Sequence, residues 1–258
     1  MNGPLSGRTI IVTRPLAQTS ELARLITERG GKAVLFPLIE IGPPDSSEEL
    51  EQAVERIGSY ALAVFISPNA VDFAVPAILA DQSWPSGLRA AAIGPGTVAA
   101  LARHCICDTL VPSERFDSEA LLALPGLQQP SVSGKRIVIF RGNGGRELLA
   151  DTLRERGATV DQVGCYRRLA PRTAAPLELL WRDHRLDALT VSSSEGLRNL
   201  LSLLDQPAQA RLRATPVFVP HQRIAEQAEG LGLRRVVLTG PADAGIIAAL
   251  CGFAWPSQ

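Results

Sequence analysis

The chain has 258 residues, 46% hydrophobic and 20% charged, a composition that supports a folded core and excludes a disordered chain. Lys plus Arg and Asp plus Glu both total 26, so the formal net charge is zero and the usual electrostatic warrant for a nucleic-acid or anionic-membrane partner is missing. Four cysteines, Cys105, Cys107, Cys165 and Cys251, are too sparse for a disulfide framework; with no basic-then-apolar leader, the expectation is a reduced, soluble, cytoplasmic protein.

The first segment, Gly7–Gly30 (GRTIIVTRPLAQTSELARLITERG), reads as a strand, a turn at Thr13-Arg14-Pro15 and a helix closed by Gly30. An extended stretch, Phe36–Ile41, follows and ends at Pro43-Pro44. The apolar run Ala63–Ser67 predicts a strand leading through Ser67-Pro68-Asn69-Ala70 into a helix. Ala92-Ile93 ends another such run, before the turn Gly94-Pro95-Gly96-Thr97 and a further helix. His104-Cys105-Ile106-Cys107 lacks the ligand spacing of a zinc site and has no second Cys/His pair after it, so no metal is expected.

Gly134–Gly157 (GKRIVIFRGNGGRELLADTLRERG) then repeats the first segment without a gap. Ile10/Ile137, Arg14/Arg141, Leu22/Leu149 and Gly30/Gly157 are identical at an offset of 127. Ala188–Ser192 repeats Ala63–Ser67 at an offset of 125, and Phe218-Val219 repeats Ala92-Ile93 at 126. An internal duplication is therefore predicted, in the order unit A, unit B, unit A′, unit B′. A second extended stretch, Gly164–Leu169, precedes Pro171 and is the counterpart of Phe36–Ile41; the two are expected to be linker strands. Ser192 and Glu195 form a capping-box pattern. The last apolar stretch, Ala244–Trp255, is about 12 residues and too short to span a membrane. Strands that alternate with helices and run as short continuous apolar segments predict parallel sheets covered on both faces. Periodicity leaves open whether A pairs with B or with B′.

In such sheets ligands bind beyond the carboxyl ends of the strands, where loops open into helix N-termini whose free N–H groups favour anions. Arg14 and Arg141 end equivalent strands, and Arg can grip a carboxylate in a bidentate fork. The turn Arg141-Gly142-Asn143-Gly144-Gly145-Arg146 is the most glycine-rich of these sites. It ends at Glu147, so it is neither a G-x-G-x-x-G dinucleotide fingerprint nor a P-loop. None of His104, His184 and His221 lies in a nucleophile motif; His221, after the strand of unit B′, is placed to face a ligand. Tyr166, beside Arg167 and Arg168, reads by itself as a packing residue.

The ordered set of motifs resembles the uroporphyrinogen-III synthase family in its gammaproteobacterial-like form. The pieces are Val12-Thr13-Arg14-Pro15, Phe36–Glu40, Ser67-Pro68-Asn69-Ala70-Val71, Ala92–Thr97 as an Ile-Gly-x-x-Thr turn, Arg141–Leu148 and Cys165-Tyr166-Arg167-Arg168. The resemblance implies two parallel-sheet α/β lobes from a swapped internal duplication, joined by a two-stranded linker. One lobe takes residues 1–37 and 169–258 and the other 38–168, with linker strands near 36–41 and 164–169. It implies cyclisation of hydroxymethylbilane, a linear tetrapyrrole with two carboxylate arms on each ring, with inversion of the last ring, loss of water and no cofactor. Tyr166 matches the family's linker tyrosine and is expected to protonate the departing hydroxyl, since a phenol with a reference pKa of about 10 is protonated near neutrality.

The expected substrate contacts are Arg14, Ser67, Asn69, Gly94, Thr97, Arg141, Gly142, Asn143, Gly144, Ser192, Ser193 and His221. The resemblance sets the Arg14 and Arg141 turns in different lobes, facing one cleft. One departure stands out: the second Ile-Gly-x-x-Thr turn is Val219-Pro220-His221-Gln222-Arg223. The hydroxyl expected at Arg223 is missing, leaving His221 or Arg223 as its substitute. A monomer is expected, in transient contact with the preceding enzyme of the pathway. The rivals are a hinged two-lobe binding protein that closes on an anionic metabolite without chemistry, and a nucleotide-dependent transferase, which the absent fingerprints disfavour.

Overall fold

The structure is a computed structural model, and it describes residues 3–15 and 20–256. Its elements run in chain order as β1 (Thr9–Val12), α1 (Ser20–Glu28), β2 (Lys32–Leu35), β3 (Glu40–Gly42), α2 (Glu48–Glu55), β4 (Leu62–Phe65), α3 (Pro68–Leu79), β5 (Arg89–Ala92), α4 (Pro95–Ala102) and β6 (Thr109–Leu110). They continue as α5 (Ser118–Ala123), α6 (Gln129–Val132), β7 (Arg136–Gly142), α7 (Leu148–Glu155), β8 (Thr159–Leu169), α8 (Ala175–Arg182), β9 (Ala188–Thr190), α9 (Ser194–Leu203), α10 (Gln206–Ala214), β10 (Val217–Val219), α11 (Gln222–Gly230), β11 (Val236–Leu238) and α12 (Ala242–Gly252). The chain divides into two compact units: one runs up to Glu40 and resumes at Leu169, and the other is Ile41–Arg168.

The first unit holds a parallel sheet in the order β11-β10-β9-β1-β2. Ile10 and Val12 point to one face of it, onto Leu22 and Ile26 of α1 and Ile246 and Leu250 of α12. Ile11, between them, points to the other, among Leu177 of α8, Leu197 of α9, Leu212 of α10 and Ile224 of α11. The two-residue alternation of a strand thus feeds two apolar layers, and each large side chain so buried contributes about 1.5–3 kcal/mol.

The second unit holds the order β3-β8-β7-β4-β5-β6, with β8 through β6 all parallel. Val64, Ile137 and Ile139 pack under Leu121 of α5 and Leu149 and Leu153 of α7. Phe65, Val138 and Phe140 pack under α2, α3 and α4, with Phe65 and Phe140 stacked at 5.1 Å. Read from the strand that follows the Gly-ended helix, the sheets run β2-β1-β9-β10-β11 and β8-β7-β4-β5-β6. In chain order the first is the doubly-wound 2-1-3-4-5 and the second, numbered from β4 and read from its other edge, is 3-2-1-4-5. The winding changes direction between β1 and β9 in one and between β7 and β4 in the other, and opens a crevice there. Gly30 and Gly157 follow α1 and α7 with φ of 85° and 86°, a left-handed turn that glycine enters without a Cβ clash.

The stretch Phe36–Ile41 is strand only from Glu40 onward. Pro37 has no N–H for a ladder, while Phe36 N–H and Leu38 N–H donate to the carbonyls of Val12 and Thr13. That ties Phe36 and Leu38 into the core of the first unit. Gly164–Leu169 is the end of the longer strand β8, the neighbour of β3. No helix among the described residues is long and apolar enough to cross a membrane.

Candidate functional site

Because strands β7, β4 and β5 run parallel, the turns that leave them share one edge of the second unit's sheet. Ser67 caps α3: its Oγ accepts from Ala70 N–H at 3.2 Å, and Pro68 occupies the first helical position. Asn69 follows, partly exposed. Gly94 caps α4 in extended conformation, again with a proline next. Its missing Cβ leaves room for Phe116, whose Cβ would otherwise lie 3.1 Å away. Thr97 is 3% exposed and sits in the first turn of α4, inside the fold rather than on its rim.

Arg141, the sixth residue of β7, is only 8% exposed. Its guanidinium donates to Glu147 at 2.8 Å, to Gly144 O at 2.7 Å and to Gln162. Gln162 in turn donates to the other Glu147 oxygen at 2.6 Å. These hydrogen bonds, from Gln162 first and Arg141 second, hold the Glu147 carboxyl below its usual range. Arg141 therefore braces its own glycine turn. Asn143 does similar work: its N–H donates to Tyr166 O and its Oδ1 accepts from Arg168 N–H, both at 3.0 Å. A cavity of about 270 Å³ at this edge has Ile66, Ile93, Leu149 and Phe116 as apolar walls and Arg141 and Arg146 among its polar ones.

Tyr166 is 1% exposed. The pairing of β7 with β8 slips between Arg141 and Gly142, so that Gly142 faces Tyr166 and Cys165 is the extra residue of a bulge. A Cβ on Gly142 would lie 2.7 Å from Cε2 and Cζ of Tyr166. Without one, the ring passes over β7 and its hydroxyl meets Ser67 Oγ at 3.0 Å, at the end of β4. Phe73 of α3 stacks on the ring at 6.1 Å. Ser67, Gly142 and Tyr166, far apart in sequence, thus form one cluster where the strand order turns.

In the first unit, the turns after β1, β9 and β10 also share one sheet edge. Arg14 forms an ion pair with Asp243 at the start of α12, and Thr13 Oγ1 donates to Thr190 O at 2.7 Å, binding β1 to β9. The cap of α9 is Ser193, whose Oγ accepts from Gly196 N–H at 3.2 Å. The capping box expected at Ser192 is thus one residue early, because β9 ends at Thr190 and the chain needs two more extended residues before the helix can start. Ser192 lies beside the cap, partly exposed; His221 is exposed and begins α11 without a side-chain cap bond, and Arg223 is exposed in its first turn.

Sequence reasoning missed Asp243 and Gln162, which organise the turns, and named Thr13 only as part of its turn. Asp243 is 229 residues from Arg14, and nothing local marks it. Among the described residues no group of three or more His, Cys, Asp or Glu side chains converges as a metal site would.

The chain is similar to uroporphyrinogen-III synthase of Escherichia coli (strain K12), 36% identical over 240 residues that cover 91% of this chain and 96% of that one. It is 32% identical over 207 residues to the synthase of Synechococcus elongatus, covering 78% and 76%. Among solved structures, a mutant uroporphyrinogen III synthase of the extreme thermophile Thermus thermophilus superposes with a TM-score of 0.58 at 18% identity, covering 94% of this chain and 96% of that one. The Helicobacter pylori enzyme does so with 0.58 at 14%, covering 93% and 97%. At those identities the superpositions show a shared α/β fold with parallel sheets. The family model described as Uroporphyrinogen-III synthase HemD matches residues 20–248, and with it this chain belongs to the uroporphyrinogen-III synthase family.

Proposed function

We propose that the chain is a uroporphyrinogen-III synthase, a lyase that closes linear hydroxymethylbilane to uroporphyrinogen III with inversion of the last pyrrole ring and loss of water. The observation that carries this reading is membership of the family, at 36% identity to a synthase over nearly the whole length of both chains. The relatives reported above are synthases, which favours the enzyme over a hinged binding protein.

The chemistry asks for little. The hydroxymethyl oxygen leaves as water, an electrophilic azafulvene forms, and the substituted carbon of the last ring attacks it. A spiro intermediate then opens and recloses inverted. The protein must hold the two ends of the chain together and supply a proton to the leaving oxygen. The carboxylate arms are held by main-chain N–H groups at the turns after Gly94, at Gly144 and at Ser192-Ser193, aided by Asn69. Arg14 and Arg141, braced by Asp243 and Glu147, add charge without being loose cations. The cavity of about 270 Å³ beside Arg141 suits a single ring with its arms rather than four rings. His221 or Arg223, both exposed at the start of α11, stands in for the hydroxyl missing at position 223. No step draws on a cofactor.

The two units descend from one duplicated ancestor by exchange of parts, which is supported by their common strand order and the repeated residues. Strands β3 and β8, where the chain passes between units, act as the two-stranded linker. The protein works as a cytoplasmic monomer that meets the preceding pathway enzyme only transiently. Expression in a bacterial strain lacking its own synthase should restore growth without added haem; failure of a well-expressed, folded chain to do so would count against the enzyme reading.

A further inference from the structure

We infer that the group presented to the departing hydroxyl is Ser67, with Tyr166 acting through it. This rests on the synthase reading above. Tyr166 is 1% exposed, with its ring enclosed by Gly142 and Phe73, and the partner its hydroxyl has is Ser67 Oγ at 3.0 Å. Ser67 is partly exposed, on the turn that opens at the sheet edge. The phenol is thus one hydroxyl removed from the open turn.

Hydrogen-bond bookkeeping gives the direction. A hydroxyl has one proton to donate and two lone pairs to accept with. If Ser67 donated to Tyr166, the phenolic proton would need another acceptor, and leaving it unpaired in a buried position costs about 1–3 kcal/mol. Tyr166 therefore donates to Ser67 Oγ. Ala70 N–H donates to the same oxygen at 3.2 Å. Both lone pairs of Ser67 are then occupied, and its own O–H is the donor left over, free to turn toward the open side. The start of α3, a helix of 12 residues, stabilises negative charge growing on that oxygen.

The C–O bond of the hydroxymethyl group breaks, its electron pair leaving with oxygen, as the Ser67 proton moves to that oxygen and water departs. Ser67 Oγ takes the Tyr166 proton in the same motion, leaving a phenolate opposite the cationic azafulvene. After the spiro intermediate opens, the unsubstituted α-carbon of the last ring makes the closing bond and loses its proton, which returns through Ser67 to Tyr166. Substrate goes to product plus water, and the relay ends as it began.

The test is the initial rate of type III ring formation, corrected for spontaneous type I closure, in Ser67→Ala, Ser67→Asp, Ser67→Thr, Tyr166→Phe and the double variant Ser67→Ala/Tyr166→Phe. Ser67→Ala should lower kcat by about 10²-fold or more, the scale of general-acid catalysis, with KM little changed. Ser67→Asp keeps the cap on α3 but brings no proton, so it should melt like the wild type yet be as slow as Ser67→Ala. Ser67→Thr should recover most of the rate. Adding Tyr166→Phe to Ser67→Ala should cost nothing more, because the two act in series. A Ser67→Ala or Ser67→Asp enzyme at the wild-type rate, or additive losses in the double variant, would overturn the relay. Absence of type III product from the wild-type chain would instead overturn the synthase reading itself.

Discussion

The Tyr166 ring reaches Ser67 because position 142 carries no side chain. A glycine after a strand reads naturally as a place where backbone approaches a ligand, but Gly142 is still the last residue of β7, with the turn beginning at Asn143. Its neighbour in the fold, however, is a ring that comes from β8, and that pairing depends on a one-residue slip no local pattern announces. Gly142→Ala should set a methyl 2.7 Å from Cε2 and Cζ of Tyr166, push the ring off Ser67 and cost about 1–3 kcal/mol by overpacking. Denaturant melting reads the stability, and turnover should fall with it. An alanine variant of unchanged stability and rate would show that the ring has room to spare.

Two further buried groups of the second unit respond to pH. Burial pushes the Cys165 thiol up to about 12 from 9.0. Burial, with a hydrogen bond to Asp161, pushes the Tyr60 phenol up to about 12 from 10.0. Each is held neutral more firmly in the folded chain than in the unfolded one, so its contribution is complete below about pH 9 and is lost as pH rises toward about 12. The denaturation midpoint should be flat near neutrality and fall above about pH 9, less steeply in Cys165→Ala. A midpoint unchanged up to about pH 11 would contradict this.

At the scale of elements, the repeated glycines, the prolines at helix starts and the apolar runs were readable because they act over a few residues. Ser67-Pro68 and Gly94-Pro95 each place a cap and a first-turn proline side by side, and each begins a helix. The run of three serines at Ser192–Ser194 offered several caps of equal chemistry, and the end of β9 selected Ser193. Ser193→Ala should therefore cost about 1 kcal/mol of unfolding free energy and Ser192→Ala much less; equal losses would mean the cap is shared. The braces on Arg14 and Arg141 were not readable in the same way. Glu147 lies six residues from Arg141, but Gln162 and Asp243 reach their arginines through the fold. Both arginines looked in sequence like open clamps, and the structure has each held by a carboxylate of its own unit.

For the whole molecule, the alternation of short apolar strands with helices signalled parallel α/β sheets before any contact was known, and the near-constant offset between repeats signalled a duplication. Which strands share a sheet was not legible, because periodicity marks a strand without naming its neighbour; only the family resemblance proposed a pairing. The sheet edge that carries the turns follows from parallel pairing alone, so the candidate residues Ser67, Gly94, Arg141 and Tyr166 come together once that order is known. The direct measurement of what they do is the isomer composition of the ring formed when purified chain meets hydroxymethylbilane. With the enzyme present, uroporphyrinogen III should dominate at rates far above spontaneous closure. A product that is only the uninverted type I isomer, formed no faster than without protein, would contradict it.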